Sequence, residues 1–577
     1  MSNAEDRAVA EGRAVRALTA DGAPFAVVRG EDGGLLYADG PRTLVEFVEV
    51  TWGFGDQVFL VGESTSYTYR EFLAAACALA RRFVEEYGLR PGDRAAVLMR
   101  NRPEWQIAFW AAQLAGLIAV PLNTWWTSAE LQEALDDCGP RVLLVDGEGL
   151  ALVDDWRKRV GARAVIFQGD GTVFQRDETV ERYEDFPVAD PRTAPPGIEV
   201  RAEDDATIFY TSGTTGRPRG VVATHLAQAG AAQHPRYHAA LAALADGRFP
   251  GQGPAPVALM TYPFFHVAAF TALYSAMSVG GTLVLMRKWD AGAALGLMRE
   301  HGVTHFSGVP TVALDLLDAA ERTGDDLASL THLSTGGAVA PPALVARLAA
   351  RHGRRIEPRT GYGLTETSGG VLAHCGDAYR DEPEGAGTAA PTIEVRVVGT
   401  DGRPLPEGEL GELQLRGQSV MRGYWRDETA TGDAFVDGWL RTGDLATVRE
   451  GRVCVAGRIK EVVVRGGENV YCARVEAALH ELPAVADAAV FGVPHDRLGE
   501  EVAAVVRLRE GAVAGVEQLT AELVGRIAAY QVPTLMSFGE VPRNAAGKIL
   551  RGVLRDRVVR SRGGSTPGAA AQEFTSG

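Results

Sequence analysis

Apolar positions recur along this chain in two periods, and their order predicts its architecture. Helical spacing predicts a helix over 71–87, closed by Gly88, and a short apolar run predicts a strand over 95–99. A helix over 104–115, a strand over 118–121, a helix over 128–137 and a strand over 142–145 follow. Strands alternating with helices form a parallel sheet covered on both faces, with ligands bound beyond the carboxyl ends of its strands. The strand-like stretch 206–210 leads to such an end. Residues 229–256 read as a helix and then a Gly/Pro-rich loop able to border an entrance.

Residues 255–286 contain no Asp, Glu, Lys or Arg, and about 20 apolar residues suffice to cross a bilayer. Pro263, His266 and Gly280-Gly281 divide the run, predicting a buried strand over 257–261, a helix over 267–279 and a strand over 283–286. The alternation resumes with a helix over 291–301, a strand around His305-Phe306 and a helix opened by Pro341-Pro342. From Ile393 the texture changes to short strands and turns. The segment Gly457–Glu461 then precedes a compact unit that ends near residue 562. The expected class is α/β: a large N-terminal domain (1–459) of stacked α/β subdomains plus a small β-rich subdomain, a small mobile α/β C-terminal domain (460–562) and a disordered tail (563–577).

Composition narrows the function. A formal net charge of −16 argues against a general binder of nucleic acid or of anionic membranes. Five cysteines without a Cys-x-x-Cys pair fit neither a zinc site nor a disulfide framework, and the start of the chain carries acidic and basic residues where an export leader would be apolar. A cytoplasmic protein is the expectation.

The chemistry concentrates in a few loops. Tyr210-Thr211-Ser212-Gly213-Thr214-Thr215-Gly216-Arg217-Pro218-Arg219-Gly220 combines hydroxyls, guanidinium groups and glycines that let backbone N–H groups turn toward an anion. No Gly-Lys-Ser/Thr closes it, so it is a phosphate cradle other than a Walker loop. In Gly361-Tyr362-Gly363-Leu364-Thr365-Glu366-Thr367, Glu366 suits a hard divalent cation and Tyr362 offers a face on which a base can stack. Asp444, in Arg441-Thr442-Gly443-Asp444-Leu445, can accept from vicinal hydroxyls. Arg458 can hold a hydroxyl or a phosphate. Lys548, in Asn544-Ala545-Ala546-Gly547-Lys548-Ile549, is an ammonium on a loop set between Pro/Gly punctuation and apolar residues.

Together with Gly457-Arg458-Ile459-Lys460-Glu461, these motifs in this order resemble the adenylate-forming superfamily of acyl-CoA synthetases, adenylation domains and luciferases, from about Thr43 to Arg562. The segments Pro121–Trp126, Tyr262–His266 and Arg465–Tyr471 are most similar to fatty-acyl-CoA ligases. The resemblance implies that a carboxylate attacks the α-phosphate of ATP, giving an acyl-adenylate that CoA then captures as a thioester. It assigns the β- and γ-phosphates to Thr211, Ser212, Gly213, Thr214, Thr215, Gly216 and Arg219, and Mg2+ to Glu366. Adenine falls to Gly336, Gly337, Ala338 and Tyr362, with Gly361, Gly363 and Thr365 also among the cofactor-binding residues, and ribose to Asp444 and Arg458. Lys548, Thr211, Glu366 and His266 are the implied catalytic group. Lys460 is the implied hinge, about which Lys548 withdraws and Gly466-Gly467 reaches the pantetheine tunnel.

The chain departs from the family pattern at Arg219, where lysine is usual, and at Thr360, where fatty-acyl ligases often carry asparagine; both bear on the adenylation step. Small residues at Ala268, Ala269, Gly308, Gly336 and Gly337 make room for a long or bulky apolar acid, and the helix after His266 lacks an Asp for an α-amino group. Alternative readings keep only one half-reaction, deliver the acyl group to a separate carrier protein, or bind acyl-adenylates without the ATP step. A homodimer is an admissible assembly, and no integral membrane segment is expected.

Overall fold

A computed structural model describes residues 3–31, 33–168, 178–212, 218–544 and 547–563. Two large sheets share most of the chain. The first has eight strands, and six of them run parallel: Asp205–Ser212, Ile118–Pro121, Arg94–Leu98, Val142–Asp146, Arg163–Phe167 and Val180–Arg182. On the far side of Asp205–Ser212, the antiparallel strands Pro218–Thr224 and Gly423–Tyr424 complete it.

The second sheet has fourteen strands. Its parallel part holds His305–Gly308, His332–Gly336 and Glu357–Leu364 side by side. The strands of the expected β-rich subdomain have a small core of their own and hydrogen-bond onto this sheet: Gly387–Ala389 pairs with Arg452–Arg458, which pairs with Trp439–Arg449. Pairing carries the order across, because an unpaired edge there would leave backbone donors and acceptors open.

Helix Pro103–Leu114 is buried along its whole length, with Trp105 and Trp110 at 0% exposure. It contributes to a core that draws on both sheets, which explains why it is buried all round, Glu104, Gln106 and Gln113 included, rather than amphipathic. The charge-free stretch resolves into strand Val257–Met260, helix Ala268–Ser278 and strand Thr282–Leu285. Among the described residues no helix is long and apolar enough to cross a membrane.

The N-terminal region adds helix Asn3–Thr19, which no sequence reading anticipated. It packs on helix His225–Ala245, and Leu18, Phe25, Tyr37 and Tyr237 form a small core nearby. The C-terminal unit is a five-stranded sheet with helices Cys472–His480, Val516–Val524 and Arg551–Gly563 and cores of its own. A short 3-10 turn, Ile459–Glu461, joins it to the rest.

Candidate active site

A cavity of about 1090 Å3 opens where the two sheets and the C-terminal unit meet. Its first wall is the hairpin Asp205–Ser212/Pro218–Thr224, in which Thr211 stands opposite Arg219. The Thr211 hydroxyl donates to the Arg219 carbonyl at 3.5 Å. Gly213, Thr214, Thr215 and Gly216 lie outside the described residues, as does the side chain of Ser212. Arg219 faces the cavity with its guanidinium 5.8 Å from the Tyr424 ring and 3.9 Å from the Asp427 carboxylate.

Glu366 sits in the 3-10 turn Thr365–Thr367 that follows strand Glu357–Leu364. Its Oε1 accepts a hydrogen bond from the Tyr424 hydroxyl at 2.9 Å, and its carbonyl accepts from the Met421 N–H. Burial and the Glu366 carboxylate push the Tyr424 phenol well above its usual range, so it remains a donor. Pairing of Gly423–Tyr424 with Pro218–Thr224 brings this tyrosine here. Sequence reasoning missed it, since nothing local marks that pairing.

Tyr362, Asp444 and Arg458 form a second group. Asp444 and Arg458 are register partners on neighbouring strands, with Nε and Oδ1 3.2 Å apart. The Tyr362 hydroxyl donates to Asp444 Oδ2 at 2.6 Å, and the Asp444 N–H donates to the Thr442 hydroxyl at 3.0 Å. Burial raises the Asp444 carboxyl above the usual range, and Arg458 and Tyr362 offset that rise. The result is a buried carboxylate fixed in orientation; it stands outside the cavity lining, next to Thr442, Gly443 and Arg458, which border a slot beside Tyr362. Gly336 and Gly361 face one another across the floor of that slot, where the Gly336 carbonyl accepts from the Tyr262 hydroxyl at 3.1 Å. Gly337, Gly363 and Thr365 also line the cavity.

His266 lines the cavity from the loop before helix Ala268–Ser278. Its Nδ1 accepts from the Ala268 N–H at 3.2 Å, which assigns the proton to Nε2, and burial pushes its pKa down to about 4. The imidazole is neutral near pH 7 and offers an N–H. Asn101 braces the loop by donating to the Tyr262 carbonyl and accepting from the Phe264 N–H.

Lys548 reaches this cavity from the C-terminal unit, as does Asn544. Gly547 comes so close to Val309 that a Cβ there would lie 2.9 Å from its Cγ2. Desolvation, with Arg458 adding to it, lowers the Lys548 pKa below the ordinary lysine range, although much of the residue's surface remains open. Lys460, in the connecting turn, also lines the cavity. Gly466 and Gly467 do not: they form the tip of the hairpin Val462–Arg465/Glu468–Tyr471, both with positive φ, where only glycine is unstrained. Ala338 lies outside the lining as well.

Of the small residues expected around an acyl group, Ala268, Gly336 and Gly337 line the cavity, whereas Ala269 and Gly308 are packed away from it. The inner part of the cavity carries polar side chains that sequence reasoning missed, among them His238 and Arg359. Among the described residues no group of three His, Cys, Asp or Glu side chains can hold a metal. A divalent cation here therefore relies on one carboxylate, Glu366, and on oxygens brought by a ligand, as Mg2+ commonly does.

Comparison with known proteins gives the same picture. The family model of AMP-binding enzymes matches residues 48–425, and that of the AMP-binding enzyme C-terminal domain matches residues 474–548. A long-chain-fatty-acid–CoA ligase of Mycobacterium tuberculosis, FadD13, is 34% identical over 85% of this chain and 93% of its own length. A feruloyl-CoA synthase of Amycolatopsis is 34% identical over 85% of this chain and 94% of its own. Among solved structures, the o-succinylbenzoate CoA synthetase of Bacillus subtilis in complex with its acyl-adenylate intermediate superposes with a TM-score of 0.72. It is 28% identical and covers 88% of this chain and 98% of its own.

Proposed function

The chain belongs to the AMP-binding enzyme family and is an AMP-forming acid–CoA ligase acting through an acyl-adenylate; from that premise we propose how its residues divide the work. The acid is a bulky or long carboxylic acid with an apolar body. Thr211 and Arg219 bind the terminal phosphates of ATP. Glu366 would hold Mg2+, whose charge would offset that of the phosphates. Tyr362 lies against the adenine, and the Asp444 carboxylate, oriented by Arg458 and Tyr362, accepts from the ribose hydroxyls.

Adenylation develops negative charge where the acid oxygen meets the α-phosphate, and positioned donors stabilise it more effectively than mobile water does. The Lys548 ammonium provides the cation, and the His266 Nε2–H faces the same space as a neutral donor. The observation that carries this assignment is the entry of Lys548 from the C-terminal unit into the cavity bounded by Glu366, Thr211 and Tyr362. For thioester formation, the C-terminal unit turns about Lys460, withdraws Lys548 and brings the Gly466-Gly467 hairpin to the channel for CoA, so that one site serves two reactions.

Acid-dependent exchange between ATP and pyrophosphate tests the first step, and CoA consumption with a supplied acyl-adenylate tests the second. Both are expected. Exchange absent with every acid, together with thioester formation from supplied adenylates, would refute the first assignment and favour an enzyme that keeps only the second step.

A further inference from the structure

The parallel strands beneath the inner cavity carry polar residues where a covered sheet ordinarily carries apolar ones. Phe306 and Leu333 point into the core built with helices Ala291–His301 and Pro310–Thr323, as expected. Their neighbours point the other way and fall into rows across the sheet. His305, His332 and Glu357 are in register, Ser307, Ser334 and Arg359 form the next row, and Gly336 and Gly361 form the row nearest the nucleotide slot. His305, Ser307, Ser334 and Arg359 all line the cavity. Another wall is helix His225–Ala245, from which His238 presents a buried Nε2 without a hydrogen-bond partner among the described residues.

Arg359 is the charged member of this floor. Its Nε donates to Glu357 Oε1 at 2.8 Å, which leaves the Nη groups as the donors this side chain can offer a ligand. Its side chain retains 21% exposure, toward the cavity it lines. His305 and His332 stack at 4.2 Å between ring centroids, and burial keeps both neutral near pH 7, so they add no competing positive charge. A wholly apolar acyl group pressed onto this floor would strip water from the guanidinium and from His238 and replace it with nothing, which penalises that substrate.

We propose that the acid activated by this enzyme carries, at the end remote from its reacting carboxylate, a carbonyl oxygen function, ketone or carboxylate, that accepts hydrogen bonds from the Arg359 Nη groups. The inference rests on the ligase reading and names the substrate class within it. Arg359 lies two residues before Gly361, about 7 Å along the strand, so the oxygen function sits past the apolar body flanking the slot. A carboxylate there engages the fork through two parallel bonds, a ketone through one.

The test uses full-length protein and non-hydrolysable acyl-sulfamoyl adenosines with one alicyclic skeleton ending in methyl, ketone or carboxylate. Calorimetry is expected to give about 10- to 100-fold tighter binding for an oxygen-bearing member than for the methyl-ended one. Comparison of the two oxygen-bearing members separates ketone from carboxylate. Arg359→Met is expected to abolish the preference without weakening the methyl-ended analogue. Because that change strands Glu357, the double variant Glu357→Gln/Arg359→Met is the second arm, with the same expected loss. Equal binding of all three analogues by the unaltered enzyme, or a uniform loss in both variants, overturns the proposal. A binding preference in a protein that shows no ATP–pyrophosphate exchange counts against the ligase reading and leaves this subsite standing.

Discussion

Replacing Tyr424 by Phe isolates one hydroxyl. The ring that faces Arg219 at 5.8 Å remains, and what disappears is the 2.9 Å hydrogen bond to Glu366 Oε1. A hydrogen bond to a charged acceptor contributes about 1.5–3 kcal/mol, and because both residues are only half-buried the lower end applies. About 1.5 kcal/mol is roughly tenfold in a rate or an affinity. If Glu366 holds the cation, the loss falls on the ATP step alone. ATP–pyrophosphate exchange at saturating acid, titrated with Mg2+, is expected to drop about tenfold or to need about tenfold more Mg2+. Thioester formation from a supplied adenylate is expected to be unchanged. Exchange within twofold of the unaltered enzyme at every Mg2+ concentration, or an equal loss in both half-reactions, would refute the claim that Tyr424 acts by orienting Glu366.

Further outcomes follow from the same geometry. Lys548→Ala is expected to lower ATP–pyrophosphate exchange by about 100-fold or more and to spare thioester formation from the adenylate, whereas Lys460→Pro, which fixes a backbone angle in the connecting turn, reverses that pattern; separate assays of the two half-reactions check both. Arg219→Lys shortens a fork to a point charge and is expected to change the KM for ATP by less than about tenfold, because a cation still faces the phosphates. The cationic form of Lys548 is the working one and its pKa is lowered, so exchange is expected to fall as pH rises, on an alkaline limb below the ordinary lysine range. Burial holds His225, His234, His266 and His305 at about 4 in the folded state, against 6.5 for the free side chain. The unfolded chain therefore binds more protons between pH 4 and 6.5. Each of these histidines removes up to about 1.4 kcal/mol of stability per pH unit as pH falls through that window. Thermal melts are expected to drop steeply there, and a flat profile would count against neutral burial.

Local pattern made much of the molecule legible. The alternation over residues 71–145 gave its helices and strands to within a few residues, and Pro263 and Gly280-Gly281 divided the apolar run where the structure divides it. Glu366, Tyr362, Asp444, Arg458 and Lys548 were marked as candidates because glycines or hydroxyls flank them in short motifs. Tyr424, Arg359 and His238 were not. Tyr424 reaches Glu366 through a strand pairing about two hundred residues apart in sequence, Val221 with Tyr424, which no local window contains. Arg359 stands beside a motif that drew attention to the glycines after it. The available signal was the two-residue rhythm of His305-Phe306-Ser307 and His332-Leu333-Ser334, polar on one side of strands that a covered sheet should make apolar on both. Helix Asn3–Thr19 was missed for the opposite reason: its charges are plentiful, and its docking onto helix His225–Ala245 uses few apolar side chains.

The contact between Gly547 and Val309 sets a mechanical tolerance. At φ +75° and with 2.9 Å between a would-be Cβ and the valine, this position has no slack in either backbone conformation or clearance. A single methyl group there would act as a wedge under the arriving unit. The lysine one residue further on would then stop short of its station, although nothing in the lysine itself had changed. Reach, in this enzyme, is controlled by the thickness of a spacer whose side chain is one hydrogen atom.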